Sequence, residues 1–292
     1  MPDAAIAPNS PTPSAAFGWS MIVLGMVLSG VLVLLGTKLA MRAPDASDAG
    51  HVAMLYLFVF GPMALVALLF ARLGGFSAFR SGEAPGRWAA AGISLGLLGL
   101  AVTSGMAALA GSLVPGQGGQ FGAALLAGGL VLILLQTASE ELFFRGWLLQ
   151  ALQRRIGIGF AIGLSAVLFA AFHLLGGARA PMSLLNLGLG GLWFGLLAWR
   201  SGGLLAPMLA HFGWNASEEI IAGLSPNPGI GSFGAVFDWD LAGSALWGGS
   251  DEGLNASIGM AMVLAALILP LAWRVPIAPA ATVPRPHDHA AG

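Results

Sequence analysis

The chain has 292 residues, of which 57% are hydrophobic and only 9% charged, against the roughly 25% charge of soluble domains; this excludes an ordinary water-soluble enzyme. The formal net charge is −1 and the twelve basic residues are scattered singly or in pairs, so no polybasic surface for nucleic acid is present. Cysteine is absent, which excludes disulfides, thiolate metal ligands and a thiol nucleophile.

Residues 1–16, rich in Pro, Ala and Ser, lack the basic start of a secretory signal peptide and read as a disordered tail. Eight windows follow that are apolar and long enough to cross a bilayer as helices, at 17–39, 51–73, 88–113, 123–149, 160–177, 183–199, 204–222 and 256–273. The expected fold is therefore all-α, a polytopic membrane domain over 17–274 with about eight transmembrane helices around an intramembrane polar cavity. The sixth window is dense in Gly188, Gly190, Gly191 and Gly195, which predicts close helix packing. Pro207, near the start of the seventh, is expected to kink that helix. Residues 223–255, with many glycines, Pro226, Pro228 and Trp247, read as an irregular loop. Residues 275–292 form a second expected disordered tail, and its His287 and His289 read as part of that tail rather than as a metal site.

Orientation follows from the retention of basic residues on the cytoplasmic side. With both termini cytoplasmic, the inner side carries Arg72, Arg80, Arg87, Arg154, Arg155, Arg200, Arg274 and Arg285. The outer side carries Lys38, Arg42 and Arg179, together with the acidic Asp238, Asp240, Asp251 and Glu252.

An ionisable side chain at mid-membrane costs about 2.5 kcal/mol or more unless it is paired or faces a wet cavity. Setting loops and ends aside, the chain has Glu140, Glu141 and Arg145 in the fourth window, His173 in the fifth, and His211 with Asn215 in the seventh. At about 1.5 Å per residue, Glu140, His173, His211 and Asn215 lie about 17–22 Å from the inner-side markers. Four groups able to do chemistry thus share one layer, in a cavity expected to open to the inner side. His211 and Asn215 are four apart and share a helix face; so do Glu141 and Arg145, in the order that favours an ion pair. Glu140, about 100° further round the helix, is left without an obvious cation. Glu141 and Arg145 are accordingly assigned to support and Glu140 to chemistry, because a buried carboxylate lacking a full counter-charge titrates nearer neutrality, as a general base requires. Glu219 reads as part of a solvated helix end, the alternative being the outer rim of the cavity, with Arg179 as a candidate partner.

Three patterns occur in order on successive windows: Glu140-Glu141-Leu142-Phe143-Phe144-Arg145 fits EExxxR, Phe169-Ala170-Ala171-Phe172-His173 fits FxxxH, and His211-Phe212-Gly213-Trp214-Asn215 fits HxxxN. Together they resemble the CPBP family of intramembrane proteases, also called the Abi or type II CAAX prenyl endopeptidase family, over a motif core of about residues 129–222. The resemblance implies an intramembrane endopeptidase acting on a membrane-associated protein or peptide. It further implies that Glu140 and His173 activate water and that His211 and Asn215 stabilise the oxyanion. Both a metal-free glutamate peptidase and a zinc enzyme, with Glu140, His173 and His211 as ligands, fit the residues.

The same polar cavity would also serve an ion-coupled transporter or a non-catalytic membrane scaffold. No inverted repeat supports the former. HExxH and GxGD patterns are absent, which sets aside the zinc site-2 and aspartyl types of intramembrane protease. The expected location is a cell membrane, in particular a bacterial inner membrane. Lipid and a membrane-associated protein or peptide substrate are the expected partners; nucleic acid is not.

Overall fold

The structure is a computed structural model and describes residues 15–42, 46–116, 122–224, 231–273 and 275. The expected terminal tails, with His287 and His289, and the prolines Pro226 and Pro228 lie outside the described residues. Eight helical rods follow in chain order: α1 (Ala15–Ala40), α2 (Asp48–Leu73), α3 (Pro85–Leu109), α4 (Ala123–Ile156), α5 (Ile158–Gly176), α6 (Pro181–Ser201), α7 (Leu205–Ala216) and α8 (Ile258–Ala272). Helices α1 to α6 are long and apolar enough to cross a membrane; α8 is apolar but shorter. The protein is thus an all-α, multi-pass membrane protein.

Local chemistry sets the helix limits. Ser47 Oγ accepts from Gly50 N and Ser257 Oγ accepts from Met260 N, both at 3.1 Å, filling orphan donors at the starts of α2 and α8. Pro85 and Pro181 open α3 and α6, where the missing N–H costs nothing. Pro207 falls in the first turn of α7, where a proline is tolerated, so the expected kink is not needed. The third window overran its helix: Gly111 adopts φ +72°, and the chain leaves α3 as a short strand. Residues Leu113–Pro115 pair antiparallel with Trp239–Leu241 across the bundle end.

Two rods contain π-helical segments. In α4 the segment Leu142–Leu148 follows directly on Glu141, and α7 continues as the π turn Ser217–Ile221 just beyond Asn215. Both stand beside the polar residues of the site, a common location for such bulges.

Close packing centres on α3 and α7. A Cβ added at Gly92 or Gly96 would come within 2.3 and 2.2 Å of the Ala206 and Ala210 carbonyl oxygens, so these positions hold backbone against backbone. The α6 stripe is tight only in part. A Cβ at Gly191 or Gly195 would meet α5 atoms at 3.0 or 3.1 Å, whereas Gly190 has nothing within 4 Å.

The two ends of the bundle differ. At the end bearing most arginines, short turns are tied down: Ser81 bridges Gly203, Leu204 N donates to Arg80 O, and Arg154 donates to Gly74 O and Gly75 O at 2.7 and 3.0 Å. Arg200 closes α6 onto α8 by donating to Leu271 O at 2.9 Å and to Trp273 O. Just inside that end, Trp147, Leu148 and Leu152 are fully buried. The opposite end is covered by the irregular segments around Leu113–Pro115 and 231–257.

Candidate active site

Helix α4 supplies both carboxylates. Glu141 and Arg145, one turn apart and both buried, meet at 2.7 Å between Oε1 and Nη1. Arg145 Nη2 also donates to Gly191 O at 2.8 Å, a contact that the close approach of α6 to α5 at Gly191 permits. The guanidinium lies 4.9 Å from the Phe169 ring centre and 5.3 Å from that of Phe194, so cation–π contacts replace part of its lost hydration. Within the FxxxH pattern, Phe169 therefore has a task of its own.

His211, from α7, is held on three sides. Its Nδ1 bonds Glu141 Oε1 at 3.0 Å, its Nε2 stands 3.6 Å from Glu140 Oε2, and its ring stacks on Phe194 at 4.5 Å with an interplanar angle of 21°. Glu140 therefore does have a neighbour able to carry charge, which helical spacing within α4 could not reveal. Glu141 has a second partner for the same reason: it serves both Arg145 and His211. The Glu140 Oε2 atom is buried without a hydrogen-bond partner.

His173, on α5, is half-buried. Its Nδ1 donates to Phe169 O at 2.8 Å, one turn back on the same helix, which leaves Nε2 as the acceptor of the neutral ring. It stands three residues before the end of α5.

These side chains line two adjoining cavities. The larger, about 240 Å³, is mainly apolar and includes Glu140, His173, Gln136, Phe60 and Phe144. The smaller, about 80 Å³, includes His211, Asn215, His173, Gln136 and the carboxylates of Glu218 and Glu219. His173 and Gln136 belong to the wall common to both. The four residues expected to do chemistry are thus brought into one region, but Glu140 faces the larger space and His211 with Asn215 the smaller.

The lining of the larger cavity runs to Thr37, Gly176, Ala178, Glu252 and Asn255, at the end opposite the sealed arginine-rich turns. The cavity therefore leads away from the arginine-rich end, the end that the charge bias in the sequence assigns to the inner side. Helix α5 ends one turn after His173, so the site lies near the end of that helix remote from Arg154.

Sequence reasoning missed several residues here. Gln136 precedes Glu140 by one turn, and its Oε1 is buried without a partner. Asn186 on α6 donates from Nδ2 to Asn255 O and Ser257 O, each at 2.8 Å, which fixes its unpartnered Oδ1 beside the smaller cavity. A polar residue inside an apolar helix was the available signal in both cases. Glu218 and Glu219 are buried, so the solvated helix end expected there is not found. Arg179 instead sits by Glu252, whose Oε1 accepts from the Arg179 and Ala180 amides at 2.9 and 2.7 Å. Partial burial alone would raise the Glu252 carboxyl, but the nearby Ser183 hydroxyl, those two amides and the Arg179 charge outweigh it and hold the carboxyl below its ordinary 4.5.

The residues named for a zinc alternative do not form a three-ligand cluster. Among the described residues no group of three or more His, Asp or Glu side chains is arranged to hold a metal ion.

The site is thus an all-helical membrane bundle with carboxylates, histidines and an amide around a buried cavity. Residues 122–217 match the family model Type II CAAX prenyl endopeptidase Rce1-like, a stretch containing all three sequence patterns; over this core the chain is similar to that family. A comparison with curated proteins found no match.

Proposed function

We propose that the chain hydrolyses a peptide bond of a membrane-associated protein or peptide, using water activated by Glu140 and His173. The observation that carries this reading is the pair Glu140 and His211, 3.6 Å apart, with Glu140 Oε2 unpartnered beside a cavity that His173 also lines.

Each step follows from the donors and acceptors present. Glu140, with His173 Nε2 as a second acceptor, takes a proton from water, and the water oxygen bonds to the scissile carbonyl carbon. The carbonyl π electrons move to oxygen, giving a tetrahedral oxyanion. His211 Nε2, on the side of Glu140, and Asn215 Nδ2 are the donors to the oxyanion, with His211 Nδ1 held against Glu141. Collapse breaks the C–N bond, and the departing nitrogen receives the proton held at Glu140. Arg145 and Phe194 fix Glu141 and His211, so the donors are positioned before substrate arrives. The larger, mainly apolar cavity suits a hydrophobic stretch of substrate. No metal is needed for this sequence of steps.

The test is cleavage of a fluorogenic lipopeptide by purified protein. Glu140→Gln, His173→Ala and His211→Ala should each lose activity while remaining folded; near-normal turnover by all three would contradict the assignment. Elemental analysis with and without strong chelators tests the metal-free form of the reading. Stoichiometric zinc whose removal abolishes turnover would overturn that part.

A further inference from the structure

We infer that the catalytic cavity is entered from the non-cytoplasmic face of the membrane, so that the substrate is a peptide segment whose cleavable bond lies near the outer surface. The inference deepens the proposed peptidase reading and rests on it for the word catalytic. Two independent observations meet in it.

The first is where the cavity leads. Its exposed lining residues, Thr37, Leu175 and Gly176, are all in the last turns of α1 and α5. From His173 to Gly176 is three residues, about 5 Å of helix; from Ile158 to His173 is fifteen, about 22 Å. Below the site the route is blocked by the packed rings of Phe143, Phe144, Trp147 and Phe172, and beyond them by the turns that Arg154 and Arg200 tie down.

The second is the distribution of charge. Among the described residues, the closed end carries Arg72, Arg80, Arg87, Arg154, Arg155 and Arg200 with Glu83. The open end carries Lys38, Arg42 and Arg179 with Asp48, Asp238, Asp240, Asp251 and Glu252. Basic residues in short loops stay on the cytoplasmic side, which puts the closed end inside and the mouth outside. A lipid-modified tail presented only on the cytoplasmic surface would meet the closed end.

The chain has no cysteine, so single cysteines report sidedness without background. Thr37→Cys at the mouth, Asp251→Cys in the loop beside it and Glu83→Cys at the opposite end are treated with a membrane-impermeant maleimide in right-side-out and in inverted membrane vesicles. The first two should label in right-side-out vesicles at the rate seen in detergent, and Glu83→Cys only in inverted ones. The reverse pattern overturns the inference, as does labelling of Thr37→Cys from the same side as Glu83→Cys. The unmodified chain in both vesicle types is given a membrane-impermeant quenched peptide; cleavage confined to inverted vesicles also overturns it. Absence of cleavage in detergent defeats the peptidase reading instead, while the labelling still decides the side from which the cavity opens.

Discussion

The wall of the site built by α4 and α7 and the wall built by α5 follow different rules. On the first, Glu141, Arg145 and His211 are buried and interlocked, with Phe194 stacked on the imidazole. On the second, His173 is half-buried, held by one bond to its own helix, and stands a turn from the helix end where two cavities meet. In the proposed reading the difference sets the fixed groups around His211 apart from His173, while Glu140, also on α4, reaches the larger cavity from the first wall. Donors to an oxyanion must be fixed in advance; groups that take a proton from water and return it to a leaving amine need access to both.

Substitutions on the two walls should therefore fail differently. On the α5 wall, His173→Ala should lower kcat by about 10²–10⁴-fold with little change in thermal stability; loss of fold would break the contrast. On the α4–α7 wall, Arg145→Met should destabilise the protein by about 3–5 kcal/mol, because it strands the buried Glu141 carboxylate. Unfolding in detergent micelles measures this, and an unchanged midpoint would show that the ion pair does not hold that wall. Asn215→Leu should leave stability nearly intact and lower kcat by about 10²–10³-fold, the usual consequence of removing one oxyanion donor, with KM little affected.

The smallest effect is expected outside both walls. Glu252, held below its ordinary 4.5, contributes stability that is full above that pH and fades as pH falls through its lowered value. Hydrogen exchange of the Arg179 and Ala180 amides should quicken on acidification through that range, and Glu252→Gln should remove the dependence.

Much of this contrast could be read from the chain itself. Hydropathy placed all eight rods because each window is a continuous apolar stretch bounded by polar, Gly or Pro residues, and the four-residue spacing of Glu141 with Arg145 predicted contact within one helix. Contacts between helices were not legible. The bond from His211 to Glu141 spans seventy residues, and no helical period encodes it. The π segments beginning at Leu142 and Ser217 arise from tertiary packing rather than from local propensity, so they leave no pattern in the sequence. Counting depth from the arginines gave a common layer for four residues but not which end of the cavity is open, because the mouth is made by separate helices, with Thr37 on α1 and Gly176 on α5.

The division of labour between two adjacent carboxylates is the centre of this account, and a side-by-side comparison of Glu140→Gln and Glu141→Gln tests it most directly. Turnover and unfolding midpoint would be measured for both in the same detergent. The account predicts that Glu140→Gln keeps its midpoint and loses turnover, whereas Glu141→Gln loses stability as well. Near-normal turnover in Glu140→Gln, or a fully stable but inactive Glu141→Gln, would contradict it.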